Sequence, residues 1–340
     1  MKELKFITCN PDDTYYTWQV HLWLENLRQL GHLDKAVVLI FVPSFREYNE
    51  KWNDIILLYP EATFRVYKDE DDISKLLGIY IPILRPYLLW RYWKDTPDMK
   101  NKTIFYYDND VLLTKEFNID KYIDDDVCYV SDTNSYINAS YFDSKIKEVK
   151  PDRLEDYKKI DVLAHATELV GATREIAEKN NLHSGGAQYL LKNIDAEFWN
   201  KMITDTINIR LYLQGVNKEY FESENKGFQS WCSDMFSLLW GLWTEGKEVK
   251  VIKELDFAWS PDGIEKLNTH PIYHNAGITG ETLNDTPYFY KGKYHTGLNP
   301  MTDSQIDVVL NNENSKKKCT WFYTDALDKL RKKYKYLYEK

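Results

Sequence analysis

The 340-residue chain predicts an α/β fold: one mixed, mostly parallel sheet flanked by helices, with a basic C-terminal helix. Two observations carry this. Over the first 66 residues, short apolar runs alternate with stretches of helical spacing, β-α-β-α-β with short connections, the pattern of a parallel sheet with covering helices. Further on, Thr103-Ile104-Phe105-Tyr106-Tyr107 is a continuous apolar run, as expected of a strand buried on both faces, and it leads into Asp108-Asn109-Asp110. The composition agrees, with 43% hydrophobic and 29% charged residues, ordinary for a soluble globular protein long enough to bury a sizeable core.

Taken in order, Leu4–Cys9 reads as a strand and Asn10-Pro11-Asp12-Asp13 as a loop and helix start. Tyr15 through Leu30 shows helical spacing at Trp18, Leu22, Leu27 and Leu30, ending at Gly31 as a C-cap. Ala36–Val42 is a second buried strand closed by Pro43, Phe45–Leu58 a helix, and Thr63–Val66 a third strand. Asp69–Asp72 forms an acidic turn, and Pro82–Trp93 a Trp/Tyr/Leu-rich helix carrying Arg85 and Arg91. After the Asp pair come a strand at Val127–Val130 and a polar, aromatic segment at Asn134–Tyr141. Lys145–Lys159 reads as a charged surface insertion. His183-Ser184-Gly185-Gly186-Ala187-Gln188 is a glycine pair ahead of a helical run. Gln229–Trp243 is an apolar helix containing one carboxylate, Asp234. Strands follow at Val249–Ile252 and Phe257–Trp259, then a loop at His270–Gly277 and a basic, Tyr-rich helix from Thr320.

Asp108 and Asp110 fall at the carboxyl end of their strand, the edge at which open α/β sheets bind ligands. No Lys or Arg stands near them in sequence before Lys115. Two uncompensated carboxylates there either hold a hard cation such as Mg²⁺ or Mn²⁺ or close the strand as an exposed Asx turn. Gly185 and Gly186 permit close backbone approach to a ligand, or form a plain turn.

Net charge is −9, which argues against a general DNA-coating protein. From Ser315 to Lys340, however, nine Lys/Arg face three Asp/Glu, a local +6 that leaves −15 on the rest. Basic residues interleaved with aromatics suit phosphate tracking and base stacking, and equally suit a solvated amphipathic helix. The four cysteines, Cys9, Cys128, Cys232 and Cys319, lack metal-ligand spacing and read as structural thiols of a reducing compartment. With neither a signal peptide nor a membrane-length apolar run apparent, a cytoplasmic protein is expected.

The ordered set of Asp108-X-Asp110, Gly185-Gly186-Ala187-Gln188 and Tyr273-His274-Asn275-Ala276-Gly277 resembles the GT-A-type, nucleotide-sugar-dependent glycosyltransferases. Tyr15-Tyr16-Thr17-Trp18-Gln19 and Arg85-Pro86-Tyr87-Leu88-Leu89-Trp90 more narrowly resemble the hydroxyproline arabinosyltransferase-like and serine galactosyltransferase-like enzymes. The resemblance covers roughly residues 4–280. It implies a catalytic domain over 1–310, with a nucleotide-sugar-binding half at 1–132 and an acceptor half at 133–310, followed by the basic helix of 311–340. It also implies Mn²⁺ or Mg²⁺ held by Asp108, Asp110 and His274, and a nucleoside-diphosphate sugar, UDP-linked by expectation, contacted by Asp108, Arg85, Gly185, Gly186 and Gln188. Asp234 would be the base or acceptor binder.

A haloacid-dehalogenase-like phosphatase also places Asp-X-Asp after an apolar strand, but usually on the chain's first strand, whereas here about three β-α units precede it. A non-catalytic sugar-binding module would not need the metal constellation. For the acceptor, a soluble enzyme with a basic arm resembles in plan the phage enzymes that glycosylate hydroxylated or hydroxymethylated bases in DNA. That makes double-stranded DNA the expected partner of the tail, with a peptide or glycan hydroxyl as the alternative.

Overall fold

The computed structural model describes residues 2–223, 226–278, 286–295 and 297–338. Its strands are β1 (Leu4–Pro11), β2 (Ala36–Val42), β3 (Thr63–Lys68), β4 (Thr103–Tyr106), β5 (Val111–Leu113), β6 (Cys128–Asp132), β7 (Gly185–Lys192), β8 (Val249–Val251), β9 (Phe257–Trp259) and β10 (Ile272–His274). They form a seven-stranded, mostly parallel sheet in the order β3-β2-β1-β4-β7-β6-β8 and a three-stranded sheet in the order β5-β10-β9. The expected mixed α/β fold is the one found. Contacts cluster into two discontinuous units, Met1–Glu3, Glu70–Phe105 and Tyr122–Ile252 in the first, and Leu4–Asp69, Tyr106–Lys121 and Lys253–Lys340 in the second.

In the second unit, β2 is apolar and buried at all seven positions and pairs in parallel with β1 and β3, Phe6 opposite Ala36 and Val37 opposite Thr63. A strand covered on both faces needs no polar alternation, which is why its sequence reads as an unbroken run. The helix Thr14–Gln29 begins where the Asp13 carboxylate accepts the Tyr15 N–H (2.9 Å) and ends at Gly31, whose φ of +75° favours a residue without a Cβ. The next helix starts only at Lys51, later than Phe45. Pro43 and the hydrogen bond from Asn49 N–H to the Asp12 carboxylate (2.9 Å) commit the intervening residues to a loop. The C-terminal helix, Cys319–Lys333, buries Tyr323, Leu327 and Leu330 in one core with Trp18, Leu22 and Tyr273. Glu339 and Lys340, the end of the expected tail, lie outside the described residues.

One polar cluster ties that helix to Thr14–Gln29. The Glu25 carboxylate accepts from Lys333 Nζ (2.6 Å), Tyr334 OH (3.0 Å) and Tyr59 OH (3.2 Å). His21 stacks obliquely on Tyr334, its ring centroid 4.7 Å away, and burial pushes its pKa from 6.5 to about 3; Glu25 opposes that shift while Arg28 and Lys333 add to it. The unfolded chain therefore takes up a proton below pH 6.5 that the folded chain refuses. Stability should fall as pH drops from about 6.5 toward 3, by up to about 1.4 kcal/mol per pH unit for this one group. Thermal unfolding across that range should show the slope, and His21→Phe should flatten it; an unchanged slope would mean that the ring titrates normally.

In the first unit, β6 runs antiparallel to β7 and parallel to β8. Helices Leu84–Asp95, Ala196–Tyr220 and Ser233–Thr244 bury Trp93, Trp199 and Trp240. The 25-residue helix Ala196–Tyr220 has no counterpart among the elements expected from sequence, although Phe198, Trp199, Met202, Thr206, Ile209, Leu213 and Val216 keep a helical stripe behind the Asp195 cap. Two other expectations change. The segment after the glycine pair is strand β7, not a helix, because Tyr189 and Leu190 pair with Val130 and Tyr129 of β6; and part of the expected loop at His270–Gly277 is strand β10.

Candidate functional site

β4 ends at Tyr106 and β5 begins at Val111, so Asp108 and Asp110 occupy the turn between two buried strands. Asn109, between them, turns inward and donates from Nδ2 to Asn10 Oδ1 (2.6 Å) at the end of β1. That anchor leaves the flanking carboxylates on the other side of the turn. β10 pairs antiparallel with β5, His274 opposite Val111, and this register sets His274 beside Asp110. The Asn275 N–H donates to the Asp110 carbonyl (3.0 Å), and Asn275 Oδ1 accepts from Tyr273 OH and Ser260 Oγ, each at 3.0 Å. The Trp259 ring stacks on the His274 imidazole, centroids 5.3 Å apart and planes 20° apart.

The outcome is a triad, Asp108, Asp110 and His274, each offering a ligand atom within 4.8 Å of the others. Two carboxylates and an imidazole are a donor set suited to a divalent cation of the Mn²⁺ or Mg²⁺ kind. His274 Nε2 is 3.6 Å from Asp110 Oδ1, and Lys291 Nζ pairs with Asp110 Oδ2. The ammonium is itself a cation at the triad and shows what the buried carboxylate demands. Burial alone would push the Asp110 carboxyl up, but Lys291 and His274 outweigh it and hold the group below the ordinary carboxylate range. Tyr15, stacked on His295 at 3.9 Å, lies close enough for the Asp110 charge to add to the burial that raises its phenol pKa.

Sequence reading missed Lys291. It stands 181 residues from Asp110, and nothing local distinguishes it from the other lysines of the chain.

The first unit holds the remaining expected residues. Arg85 and Asp234, assigned separate roles from sequence, form an ion pair, and Tyr80 OH donates to the second Asp234 oxygen (2.7 Å). Asp234 is only 6% exposed. A carboxylate with both oxygens engaged orients its partners more readily than it abstracts a proton.

Gly185 and Gly186 open β7. A Cβ at Gly185 would overlap the Ser131 carbonyl oxygen and the Val130 side chain, so this glycine permits close approach of a neighbouring strand. A Cβ at Gly186 would meet the ends of two side chains, Tyr189 OH at 2.5 Å and Met235 Cε at 2.8 Å. Opposite Ser131 the strand bulges, since Val130 pairs with Tyr189 and Asp132 with Gly185, leaving three residues to face one. Ala187 lies in that bulge at φ +69°, a conformation unfavourable for a residue with a Cβ. The Ser131 hydroxyl donates to the Gly186 carbonyl and accepts the Gln188 N–H (3.3 Å); Gln188 itself is buried.

The basic tail is partly neutralised within its own unit. Arg331 pairs with Asp307 and Asp328, Lys332 with Asp328, Lys333 with Glu25, Lys316 with Glu313 and Lys329 with Asp325. Among the described residues no helix is long and apolar enough to cross a membrane.

No family model and no curated protein matches the sequence. Among solved structures, the bifunctional glycosyltransferase WbbM in its apo form aligns with a TM-score of 0.45 at 9% identity, over 95% of this chain and 51% of that one. The chain thus spans about half the length of WbbM. Galactosyltransferase LgtC, in complex with donor and acceptor sugar analogs, aligns with a TM-score of 0.43 at 10% identity, over 86% of this chain and 93% of that one. Mouse xyloside xylosyltransferase 1, in its apo form, gives 0.34 at 12% identity over 81% and 97%. At identities and scores this low, function has to be read from the side chains.

Proposed function

We propose that the protein is a metal-dependent glycosyltransferase, moving a sugar from a nucleoside diphosphate to an acceptor hydroxyl. The observation that carries this reading is the Asp108–Asp110–His274 triad with Lys291 beside it. These three side chains would hold Mn²⁺ or Mg²⁺, which when bound stabilises the charge developing on the departing diphosphate. Lys291 would then leave Asp110 for the phosphates, adding a second positive charge where the leaving group forms. Asp234 and Tyr80 would fix Arg85 for contact with the donor, and Gln188, buried in the Ser131-clamped bulge, would stiffen that strand from within. UDP is the nucleotide expected.

The DNA acceptor expected from the tail rests on free positive charge. Asp307, Glu25 and Glu313 offset about half of the local +6, which weakens the DNA expectation relative to a peptide or glycan hydroxyl.

Thermal stabilisation by a panel of nucleotide sugars, with and without Mn²⁺, tests the reading. One nucleotide sugar should raise the unfolding temperature only with metal present; no response to any pair would overturn the proposal. Lys291→Met adds a second check. Removing the competing ammonium should tighten Mn²⁺ binding several-fold while raising the donor KM about tenfold, since a charge-assisted phosphate contact is lost. Loss of both affinities together would instead make Lys291 a structural prop.

A further inference from the structure

We propose that the exposed ring of Trp231 is the stacking platform for a carbohydrate acceptor, an inference that rests on the glycosyltransferase reading and names its acceptor class. Tryptophan is highly buried on average, yet Trp231 is 60% exposed while Ser230, Cys232 and Ser233 on either side are buried. A loose loop does not explain this. The single proton of Tyr80 OH faces both the Trp231 carbonyl and the Asp234 carboxylate and serves one of them at a time, while Ser233 Oγ donates to the Ser230 carbonyl (2.6 Å) and Arg210 to Ser230 Oγ (2.6 Å). The backbone is pinned on both sides, and the ring is turned outward from a fixed base.

The ring's own posture is set as well. Tyr80 meets it edge to face, centroids 5.5 Å apart at 78°, and the Arg210 guanidinium lies 5.9 Å from its centroid. The same Tyr80 hydroxyl that holds the Trp231 backbone reaches Asp234, which in turn holds Arg85. An apolar aromatic face with the Arg210 guanidinium beside it is a combination that a pyranose fits: its C–H face covers the ring while a hydroxyl accepts from the guanidinium. A nucleobase would stack equally well, but duplex binding calls for a phosphate grip, and carboxylates outside the basic tail already offset about half of its net charge.

Steady-state transfer from the nucleotide sugar that gives the metal-dependent thermal shift to a panel of p-nitrophenyl hexosides and pentosides, a serine- and hydroxyproline-containing peptide, and hydroxymethylated duplex DNA tests this directly. The wild type should use at least one glycoside. Trp231→Ala should raise the acceptor KM about tenfold or more, with kcat changed far less and donor hydrolysis unaltered, and Trp231→Phe should recover most of the loss. Because the side chain is solvent-exposed, both variants should fold. An unchanged glycoside KM in Trp231→Ala overturns the platform. Transfer to peptide or DNA but to no glycoside overturns the acceptor class and leaves the glycosyltransferase reading standing. Failure to turn over any donor sinks that reading and the platform with it.

Discussion

Asp110→Asn should reduce metal-dependent donor hydrolysis and sugar transfer by on the order of 10³-fold, and His274→Asn by a comparable factor. Loss of one preorganised group at a developing negative charge costs roughly 10²–10³ in rate, and removing a metal ligand weakens the metal's hold as well. Asp110 is buried and paired to Lys291, so neutralising it leaves an ammonium without that carboxylate. Lys291 is 30% exposed at its side chain and can turn to water, which keeps the stability loss modest. Circular dichroism and a thermal melt of Asp110→Asn should therefore look nearly native while activity is gone. Excess EDTA on the wild type should reproduce the variant, and added Mn²⁺ should restore the wild type alone. Full turnover in EDTA would remove the metal from the mechanism and return the triad to a hydrogen-bonded turn.

The second large effect is on folding. Gly185→Ala should destabilise the protein by about 3 kcal/mol or more, because the new methyl meets the backbone oxygen of Ser131 and cannot displace it without parting β6 from β7. Gly186→Ala should cost only about 1 kcal/mol, since Met235 Cε and Tyr189 OH lie at the ends of side chains that can shift. Urea midpoints of the two variants, measured side by side, should differ in that order. On sequence alone, a substitution at Gly185 is expected to damage donor use before stability. The strand partner reverses that expectation. A Gly185→Ala protein with native stability and lost donor binding would reinstate it.

What could be read from the chain divides by distance. β2 and β9 fall where the apolar runs predict them, and the helix after Asp13 starts where its cap predicts, because each is set by residues within a few positions. Motif order singles out Asp108, Asp110 and His274 as candidates. Their assembly, by contrast, depends on the β5–β10 register and on Lys291, neither of which has a local signal. The glycine pair shows the opposite failure. Its local pattern was plain, but its meaning lay in β6, across the sheet. Arg85 and Asp234 looked like two independent candidates until folding joined them as one ion pair. The tail's charge was legible, whereas Asp307 and Glu25, which neutralise part of it, sit far enough away in sequence to leave the local balance at +6.

The separation of 181 positions between Asp110 and Lys291 also bears on the order in which the molecule matures. A ribosome delivers the Asp pair early and His274 and Lys291 late, and domains assemble as their parts emerge. Until the later segment arrives, the two carboxylates have neither imidazole nor ammonium beside them. A nascent chain stalled before residue 270 should accordingly fail to capture Mn²⁺, and capture should appear only once the closing segment has left the tunnel. Metal uptake then reports completed assembly of the site, and the triad acquires its chemistry only when His274 and Lys291 take their places.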